Sequence, residues 1–194
     1  MNELVVARHG ESESSVLDRL NGDPSVDVHL TQAGREQARR LGHAVGGVDL
    51  VAHTEFGRTR ETAELAWPQT PLLLVPDLNE IKFGQFEGTH WNEGYHEWVL
   101  TSPPDEMCPG DGESRLAAVE RYLRGYRLLL ERSESRIALV GHGAPIRYLL
   151  LALEDQPPVR ILERIEPARP YTVEANALEA AVRVLERWVE APAF

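Results

Sequence analysis

Two histidines of this 194-residue chain each follow an apolar stretch that ends abruptly in polar residues. His9 comes after Leu4–Ala7 and Arg8, and His142 comes after Ile137–Val140 and a glycine. Apolar stretches without alternation are typical of strands in a parallel sheet, where helices cover both faces. Ligands of such sheets bind at the carboxyl ends of the strands. An imidazole there can act as a nucleophile or carry a proton, and a guanidinium is a forked donor suited to phosphate.

Two more ionisable residues follow strand-like segments in the same way. Arg58 lies a few residues after Leu50–Ala52, and Glu80 follows Leu72–Val75. Because the carboxyl ends of parallel strands meet at one edge of a sheet, we predict that these side chains and the two histidines lie together. Taken singly, each also fits a structural role, such as a helix-surface charge or a solvated loop acid.

Amphipathic helical patterns separate the strand-like segments. Thr31 is a suitable N-cap for a helix that continues to Val45 and ends at Gly46-Gly47. Alternating strands and helices predict an α/β fold, a three-layer α/β/α sandwich with a mostly parallel central sheet. We expect a single domain over residues 1–194, with an insertion over the active site at about 84–112, called the lid segment below. Further helices are predicted over 58–66, 91–100, 114–131, 144–153 and 178–189, and a last strand over 171–174.

Short motifs occur in a fixed order along nearly the whole chain, and together they are far more specific than any one of them. With them the sequence resembles the histidine phosphatase superfamily, also called the phosphoglycerate mutase-like family. The resemblance implies the same three-layer fold. The motifs are Arg8-His9-Gly10-Glu11, Leu30-Thr31-x-x-Gly34, Arg58-x-x-x-Thr62-Ala63, Glu80 with Phe83-Gly84-x-Phe86-Glu87-Gly88, Pro109-Gly110-x-Gly112-Glu113-Ser114, and Gly141-His142-Gly143.

The resemblance also implies roles for the residues at the strand ends. His9 would carry a phosphohistidine intermediate, and one of its ring nitrogens would need a backbone carbonyl to fix the tautomer. Glu80 would give a proton to the leaving oxygen and later take one from water. Arg8 and Arg58 would bind the phosphate through bidentate hydrogen bonds, and His142, if protonated, would add another donor.

Other positions match the family less well. Ser15 stands where the family commonly has a phosphate-binding asparagine, and His53-Thr54 replaces its usual Ser-Ser. Asn21 and Gly22 stand where the family often places substrate contacts, so we keep them with Ser15 as candidate phosphate-binding residues. The remaining histidines match no catalytic position, and we expect them at the surface or in the lid segment: His29, His43, His53, His90 and His96.

Composition restricts the partners of the protein. A net charge of −11 argues against nucleic acid and requires a local positive site for any anionic substrate. Cys108 is the only cysteine, which excludes an intramolecular disulfide and a CxxC motif. We see no carboxylates or histidines at metal-ligand spacing and expect no metal and no cofactor.

Without a recognisable signal peptide or membrane span, we expect a cytoplasmic protein with no membrane partner. Its oligomeric state stays open.

Three functions remain compatible with these residues. The first is a metal-independent phosphatase acting on small-molecule phosphate esters, and the second is a phosphoglycerate mutase on the same scaffold. The third is a non-catalytic protein that binds a phosphorylated ligand. His9, Glu80 and His142 together argue against the third, because a binding protein needs neither a nucleophile nor an acid.

The lid segment separates the first two functions. A mutase must hold a second anionic group, which requires cations outside the first phosphate pocket. No Lys or Arg occurs from Phe83 to Ser114, a stretch rich in acidic and aromatic residues. Unless Lys82, Arg19 or His90 folds back into the pocket, this composition predicts hydrolysis of monoesters with uncharged leaving groups.

Overall fold

A five-stranded sheet forms the centre of the protein, for which we obtained a computed structural model describing all residues from 1 to 194. The strands follow the spatial order β3-β2-β4-β1-β5. Only the β1–β5 pair is antiparallel, so the sheet is mostly parallel as the sequence predicts. The strands are β1 Glu3–Arg8, β2 Leu50–His53, β3 Leu72–Leu74, β4 Arg136–Gly141 and β5 Pro170–Glu174.

Helices cover both faces of the sheet and complete the three layers. A small cluster of buried side chains joins α2 and α3 to one face, and a larger cluster joins α5, α6 and α7 to the other. Because β1, β2 and β4 are covered on both sides, their apolar residues need not alternate with polar ones. The helices are α1 Glu13–Val16, α2 Gln32–Val45, α3 Gly57–Ala66, α4 Tyr95–Thr101, α5 Arg115–Leu130, α6 Gly143–Leu153 and α7 Ala175–Glu190.

Local sequence signals account for most helix boundaries. Thr31 caps α2 by accepting a hydrogen bond from the Gly34 backbone N–H, and Ser114 caps α5 in the same way. The predicted helix over 91–100 is observed only from Tyr95, because Gly94 has a φ of 98° and breaks the helical path. The one-turn helix α1 is not among the helices that the sequence predicts.

Two glycines of the motifs, Gly10 and Gly34, lie where two backbone segments pass very close to each other. A Cβ atom on Gly10 would lie 2.5 Å from the carbonyl oxygen of Gly34. The turn after β1 therefore packs directly against the first turn of α2, and only glycine fits at this contact. This packing fixes the path of the chain immediately after His9. A separate observation concerns the helices: none of them combines the length and the apolar composition that a membrane-spanning helix requires.

Candidate active site

A cavity of about 660 Å³ lies at the carboxyl ends of the central strands. The register of β1 and β4 pairs Arg8 with Gly141, which places His9 and His142 at the same level of the sheet. Their ring centroids are 5.5 Å apart. The cavity wall includes most of the predicted site residues: Arg8, His9, Ser15, Asn21, Arg58 and Glu80. His142 is completely buried behind this wall, and Gly22 is not part of it.

His9 is held in one tautomer by its two neighbours. Its Nδ1 lies 2.7 Å from the Gly10 carbonyl oxygen, so Nδ1 carries the proton and donates it there. Its Nε2 accepts a hydrogen bond from Arg58 Nε at 3.0 Å. Burial, together with the charges of Arg58 and Arg8, holds the pKa of His9 well below its usual value of 6.5. Nε2 therefore presents a lone pair, which is what a nucleophile needs.

Arg58 is the central donor of the site. It extends from the first turn of α3, and besides His9 it contacts the side-chain oxygen of Asn21, the Asn21 carbonyl at 3.1 Å and His142 Nδ1 at 3.3 Å. Burial lowers its pKa to about 10, so the guanidinium stays charged at neutral pH. Its place is fixed through Thr62, whose hydroxyl donates to the Arg58 carbonyl and accepts from the Gly10 N–H.

His142 accepts a hydrogen bond from Arg58, whereas sequence analysis expected it to add a donor only if its ring is protonated. Burial and the charge of Arg58 hold the pKa of His142 well below 6.5. Because Arg58 donates to Nδ1, the proton sits on Nε2, which donates to the Thr54 hydroxyl at 2.7 Å. Sequence reasoning noted Thr54 only as a departure from the family. Threonine and serine both carry a hydroxyl, and this shared group is the sequence feature from which the contact could have been predicted.

Glu80 lies at the N-terminus of α6. Its carboxylate accepts hydrogen bonds from the backbone N–H groups of Gly143 at 3.0 Å and Ala144 at 3.2 Å. Glu80 thereby faces the cavity beside His9 and Arg58, where a leaving group could be reached.

A partly buried ion pair supports the loop that carries Glu80. Arg121 on α5 donates to the backbone carbonyls of Asp77 and Asn79, both at 3.0 Å, and to that of Glu80 at 3.3 Å. Glu113 binds the same guanidinium with two hydrogen bonds, at 2.9 and 2.6 Å. The acidic residue of the Gly-Glu-Ser motif therefore positions the candidate acid through Arg121, which sequence analysis missed.

Arg8 and Ser15 both line the cavity but differ in the donors they have available. Arg8 donates from Nη1 to the Ile165 carbonyl at 3.0 Å, and its buried Nε has no partner. Ser15 uses its hydroxyl proton for the Ser12 carbonyl at 2.7 Å and accepts from the Ser12 N–H. The Ser15 hydroxyl thus caps α1, and a phosphate would have to compete with that bond.

Family comparison agrees with this geometry. The model of the histidine phosphatase superfamily (branch 1) matches residues 4–188, nearly the entire chain. This chain belongs to that superfamily. It is 29% identical over 195 residues to the adenosylcobalamin/alpha-ribazole phosphatase of Escherichia coli (strain K12), with 94% of each chain covered. It is also 29% identical to a protein of Klebsiella pneumoniae named a probable phosphoglycerate mutase, covering 81% of this chain and 77% of that one.

A solved structure shares the fold of this histidine phosphatase. The crystal structure of the alpha-ribazole phosphatase from Shigella flexneri superposes with a TM-score of 0.73 at 27% identity, covering 88% of this chain and 89% of that chain. Phosphatases and mutases are thus both among the proteins that this chain resembles. The predicted family and fold class are confirmed.

Glu87 of this superfamily member is bound between two loops. Its carboxylate accepts from the Gly22 N–H at 3.0 and 2.9 Å and from Asn21 Nδ2 at 2.9 Å. Asn21 in turn binds Arg58 with its side-chain and main-chain oxygens. The Gly22 N–H is therefore occupied, and Asn21 positions the arginine of the site.

The structure also contradicts the premise that cations are missing beyond the first phosphate pocket. Arginines from outside the lid segment reach the same cavity: Arg19, Arg115, Arg160 and Arg164. The absence of Lys and Arg from the lid segment therefore does not describe the charge of the whole cavity. The prediction of uncharged leaving groups therefore loses its main support.

The other histidines of this superfamily member lie outside the site, with one correction. His53 is buried at the end of β2, where its Nδ1 lies 2.8 Å from the Thr54 carbonyl, rather than at the surface or in the lid segment. His29 and His43 are exposed, and His90 and His96 are partly exposed. The structure contains no group of three or more His, Cys, Asp or Glu side chains that could hold a metal ion.

Proposed function

We propose that this chain is a metal-independent phosphatase that hydrolyses small-molecule phosphate monoesters through a phosphohistidine on His9. It would be a phosphoric monoester hydrolase of the histidine acid phosphatase type. The observation that carries the proposal is the state of His9: its Nδ1 proton is fixed by Gly10 and its Nε2 lone pair faces Arg58 in the cavity. A cytoplasmic location and a single domain stay predictions.

In the first step, His9 Nε2 attacks phosphorus and the bond from phosphorus to the ester oxygen breaks. Glu80, which must be protonated when the ester binds, gives its proton to the departing oxygen, which leaves as a neutral alcohol. An oxygen of the phosphate takes over the hydrogen bond that Arg58 Nε makes with His9, which frees the nucleophile. Arg8 and Arg58 then stabilise the charge on the equatorial oxygens, the main catalytic resource in phosphoryl transfer.

In the second step, water attacks the phosphorus of phosphohistidine. Glu80 takes one proton from that water, the bond from phosphorus to Nε2 breaks, and inorganic phosphate leaves. Neutral His142, oriented by Thr54, accepts from Arg58 and so keeps the guanidinium aimed at the phosphate. Each residue ends the cycle as it began it, so the reaction needs no further reactant than water.

A phosphoglycerate mutase is the second candidate function, because arginines beyond the first phosphate pocket line the cavity. The two functions differ in the second acceptor of the phosphoryl group, water or an alcohol. A panel of phosphate esters, with release of inorganic phosphate as the readout, tests the first. Interconversion of 2- and 3-phosphoglycerate with a bisphosphate primer tests the second.

The covalent step has its own experiment. After brief mixing with a phosphoryl donor and quenching in alkali, the protein should carry one acid-labile phosphoryl group. His9→Ala should lose both the label and at least about a thousandfold of the activity, as expected for a nucleophile. His43→Ala, a change on the exposed surface of α2, is the matched control and should keep both. A labelled His9→Ala protein would contradict the proposal, and a wild type without label or turnover would favour the binding protein.

A further inference from the structure

The arginines of this protein that lack an acidic partner are concentrated in one place. Most arginines lie within 4.0 Å of a carboxylate, as expected for a chain with a net charge of −11. Of those without such a partner, all but Arg39 and Arg183 line the active-site cavity: Arg8, Arg19, Arg58, Arg115 and Arg160. Arg8 and Arg58 belong to the phosphate pocket. Arg115 and Arg160 have no role in the mechanism above.

Arg115 is a buried guanidinium with unused donors. It is only 2% exposed, and its Nη2 donates to the Ser102 carbonyl at 2.7 Å, the Ser102 hydroxyl at 2.8 Å and the Pro103 carbonyl at 3.0 Å. The guanidinium lies 4.5 Å from the centroid of the Trp98 ring. Its Nε and Nη1 have no hydrogen-bond partner. A buried charged group with unpaired donors is costly, so each such group calls for an explanation.

Two tyrosines beside Arg115 also have unused hydroxyl groups. Tyr95 is 4% exposed and Tyr148 is 2% exposed, and both line the cavity without a hydrogen bond from the hydroxyl to any other residue. Tyr126, by contrast, donates to the Pro145 carbonyl. Burial raises the pKa of Tyr95 and Tyr148, so both phenols keep their protons and can donate.

These groups lie on the side of the cavity that Glu80 faces. Tyr148 lies on α6, whose first backbone N–H groups bind Glu80, and the ring of Tyr95 packs edge-on against Phe83 with 5.0 Å between the ring centroids. Since Glu80 would protonate the leaving oxygen, the leaving group would occupy the cavity that the two phenols and Arg115 line. Apolar side chains, among them Phe83 and Val99, line the same cavity. The acidic residue that interacts electrostatically with Arg115 is Glu106. Glu106 is exposed, and its carboxylate accepts a hydrogen bond from the Trp98 indole N–H at 3.1 Å.

We propose that Tyr95, Tyr148 and Arg115 form a second subsite, which binds an anionic group carried by the leaving alcohol. All three present hydrogen-bond donors, and no acidic side chain among the cavity residues pairs with Arg115. A carboxylate or a second phosphate supplies the missing acceptors and the missing charge. The apolar wall accommodates a short carbon spacer between the two anions. The inference rests on the proposed function for the identity of the leaving group.

Matched synthetic substrates test this subsite whatever the natural ester is. Alkyl phosphates of two to five carbons are compared with ω-carboxyalkyl phosphates and alkanediol bisphosphates of equal length. At the best length, kcat/KM for an anionic ester should exceed that of the neutral ester by about tenfold or more, from hydrogen bonds to a charged group. The carboxylate and bisphosphate series then tell which anion the subsite prefers.

Substitutions locate the effect. Tyr95→Phe and Tyr148→Phe remove one hydroxyl each, and Arg115→Met removes the charge but keeps an apolar stem. Each should reduce the ratio of anionic to neutral ester turnover, and Arg115→Met should bring it to about one, because the charge is gone. Tyr122→Phe is the control: its hydroxyl is also buried without a partner, but it does not line the cavity, so the ratio should stay at the wild-type value.

Failure of the inference can be told apart from failure of the proposed function. If neutral and anionic esters are hydrolysed equally and the substitutions leave the ratio unchanged, the subsite is wrong while the phosphatase stands. If nothing is hydrolysed, dissociation constants of the same ester pairs for His9→Ala report on the subsite alone. Tighter binding of the anionic ester, lost in Arg115→Met, supports it, and equal binding overturns it. Should Arg115→Met fail to fold, the two Tyr→Phe variants decide.

Discussion

At the scale of single residues, the chemistry depends on two hydrogen bonds that restrict His9. The bond from Nδ1 to the Gly10 carbonyl sets the tautomer, and the bond from Arg58 to Nε2 aims the lone pair. Both histidines of the site are neutral because burial and Arg58 lower their pKa values. The positive charge of the site therefore comes from arginine, whose charge persists at any working pH.

The role of Glu80 predicts a dependence on the leaving group. Glu80→Gln should lower kcat about a hundredfold or more for alkyl phosphates, whose alkoxides need a proton, a typical contribution of a general acid. For nitrophenyl phosphate the loss should be far smaller, because nitrophenolate leaves without protonation. Both substrates are measured on the same protein preparation. An equal loss on both would remove Glu80 from the acid role.

The contact from Thr54 to His142 predicts a second residue-scale effect. Thr54→Val deletes the acceptor of the His142 Nε2 proton, and the unpaired N–H in a buried site should cost about tenfold in kcat/KM. Thr54→Ser keeps the hydroxyl and should restore most of the activity. Steady-state kinetics on one neutral ester gives the comparison. Similar kinetics for the Val and Ser variants would show that the methyl packing, and not the hydroxyl, matters here.

At the scale of elements, the lid segment is joined to the phosphate pocket through Glu87. This residue follows the 3-10 turn Gly84–Phe86 and binds Asn21 and Gly22, which belong to the loop after α1. Asn21 carries the connection on to Arg58. The position of Arg58 therefore depends on a residue of the lid segment that lies outside the cavity wall.

Substitution of Glu87 tests this connection. Glu87→Ala leaves the Gly22 N–H unpaired and the Asn21 amide nitrogen with only the Asp23 carbonyl at 3.3 Å, and Arg58 loses its lateral support. The inhibition constant of inorganic phosphate should rise about tenfold, the cost of losing hydrogen bonds to a charged group. Glu93→Ala is the matched control, because Glu93 is an exposed acid of the same segment that accepts only from the His90 N–H at 3.1 Å. Equal phosphate affinity in both variants would contradict the role given to Glu87.

At the scale of the whole molecule, two buried neutral histidines make stability depend on pH. In the folded protein the pKa values of His9 and His142 are well below 6.5, whereas in the unfolded chain they return to about 6.5. Below that pH the unfolded state binds more protons, so the free energy of unfolding falls as pH decreases. This contribution is fully present above pH 6.5. It is lost progressively as the pH falls from 6.5 toward the lowered pKa values of the two histidines in the folded protein.

The pH dependence is measured as the difference in thermal unfolding midpoint between pH 7 and pH 5. In His9→Ala one of the two histidines is gone, so this difference should be smaller than in the wild type. His43→Ala should match the wild type, because this exposed side chain on α2 lies outside the buried site. A wild-type difference retained in His9→Ala would show that carboxylates alone account for the acid sensitivity.

The sequence by itself determined the α/β class and the order of the elements. Short apolar stretches without alternation indicate strands covered on both faces, and Thr31 and Ser114 carry local capping signals. Arg8 and His9 could also be predicted as site residues from the sequence, because the end of a strand is a local feature and both residues stand at one. The predicted start of α4 was wrong because the positive φ of Gly94 could not be read from the sequence. The one-turn helix α1 was not predicted because four residues are too few to show a periodic pattern.

Tertiary structure alone decided which distant side chains meet. Glu87 reaches Asn21 across 66 positions of sequence, and His142 reaches Thr54 across 88. Arg115 joins the cavity although the lid segment before it contains no basic residue. Such contacts depend on how the loops pack above the sheet, and composition counts charges without placing them. Motifs could therefore predict a phosphate pocket, whereas the arginines on the other walls of the cavity became apparent only in the folded chain.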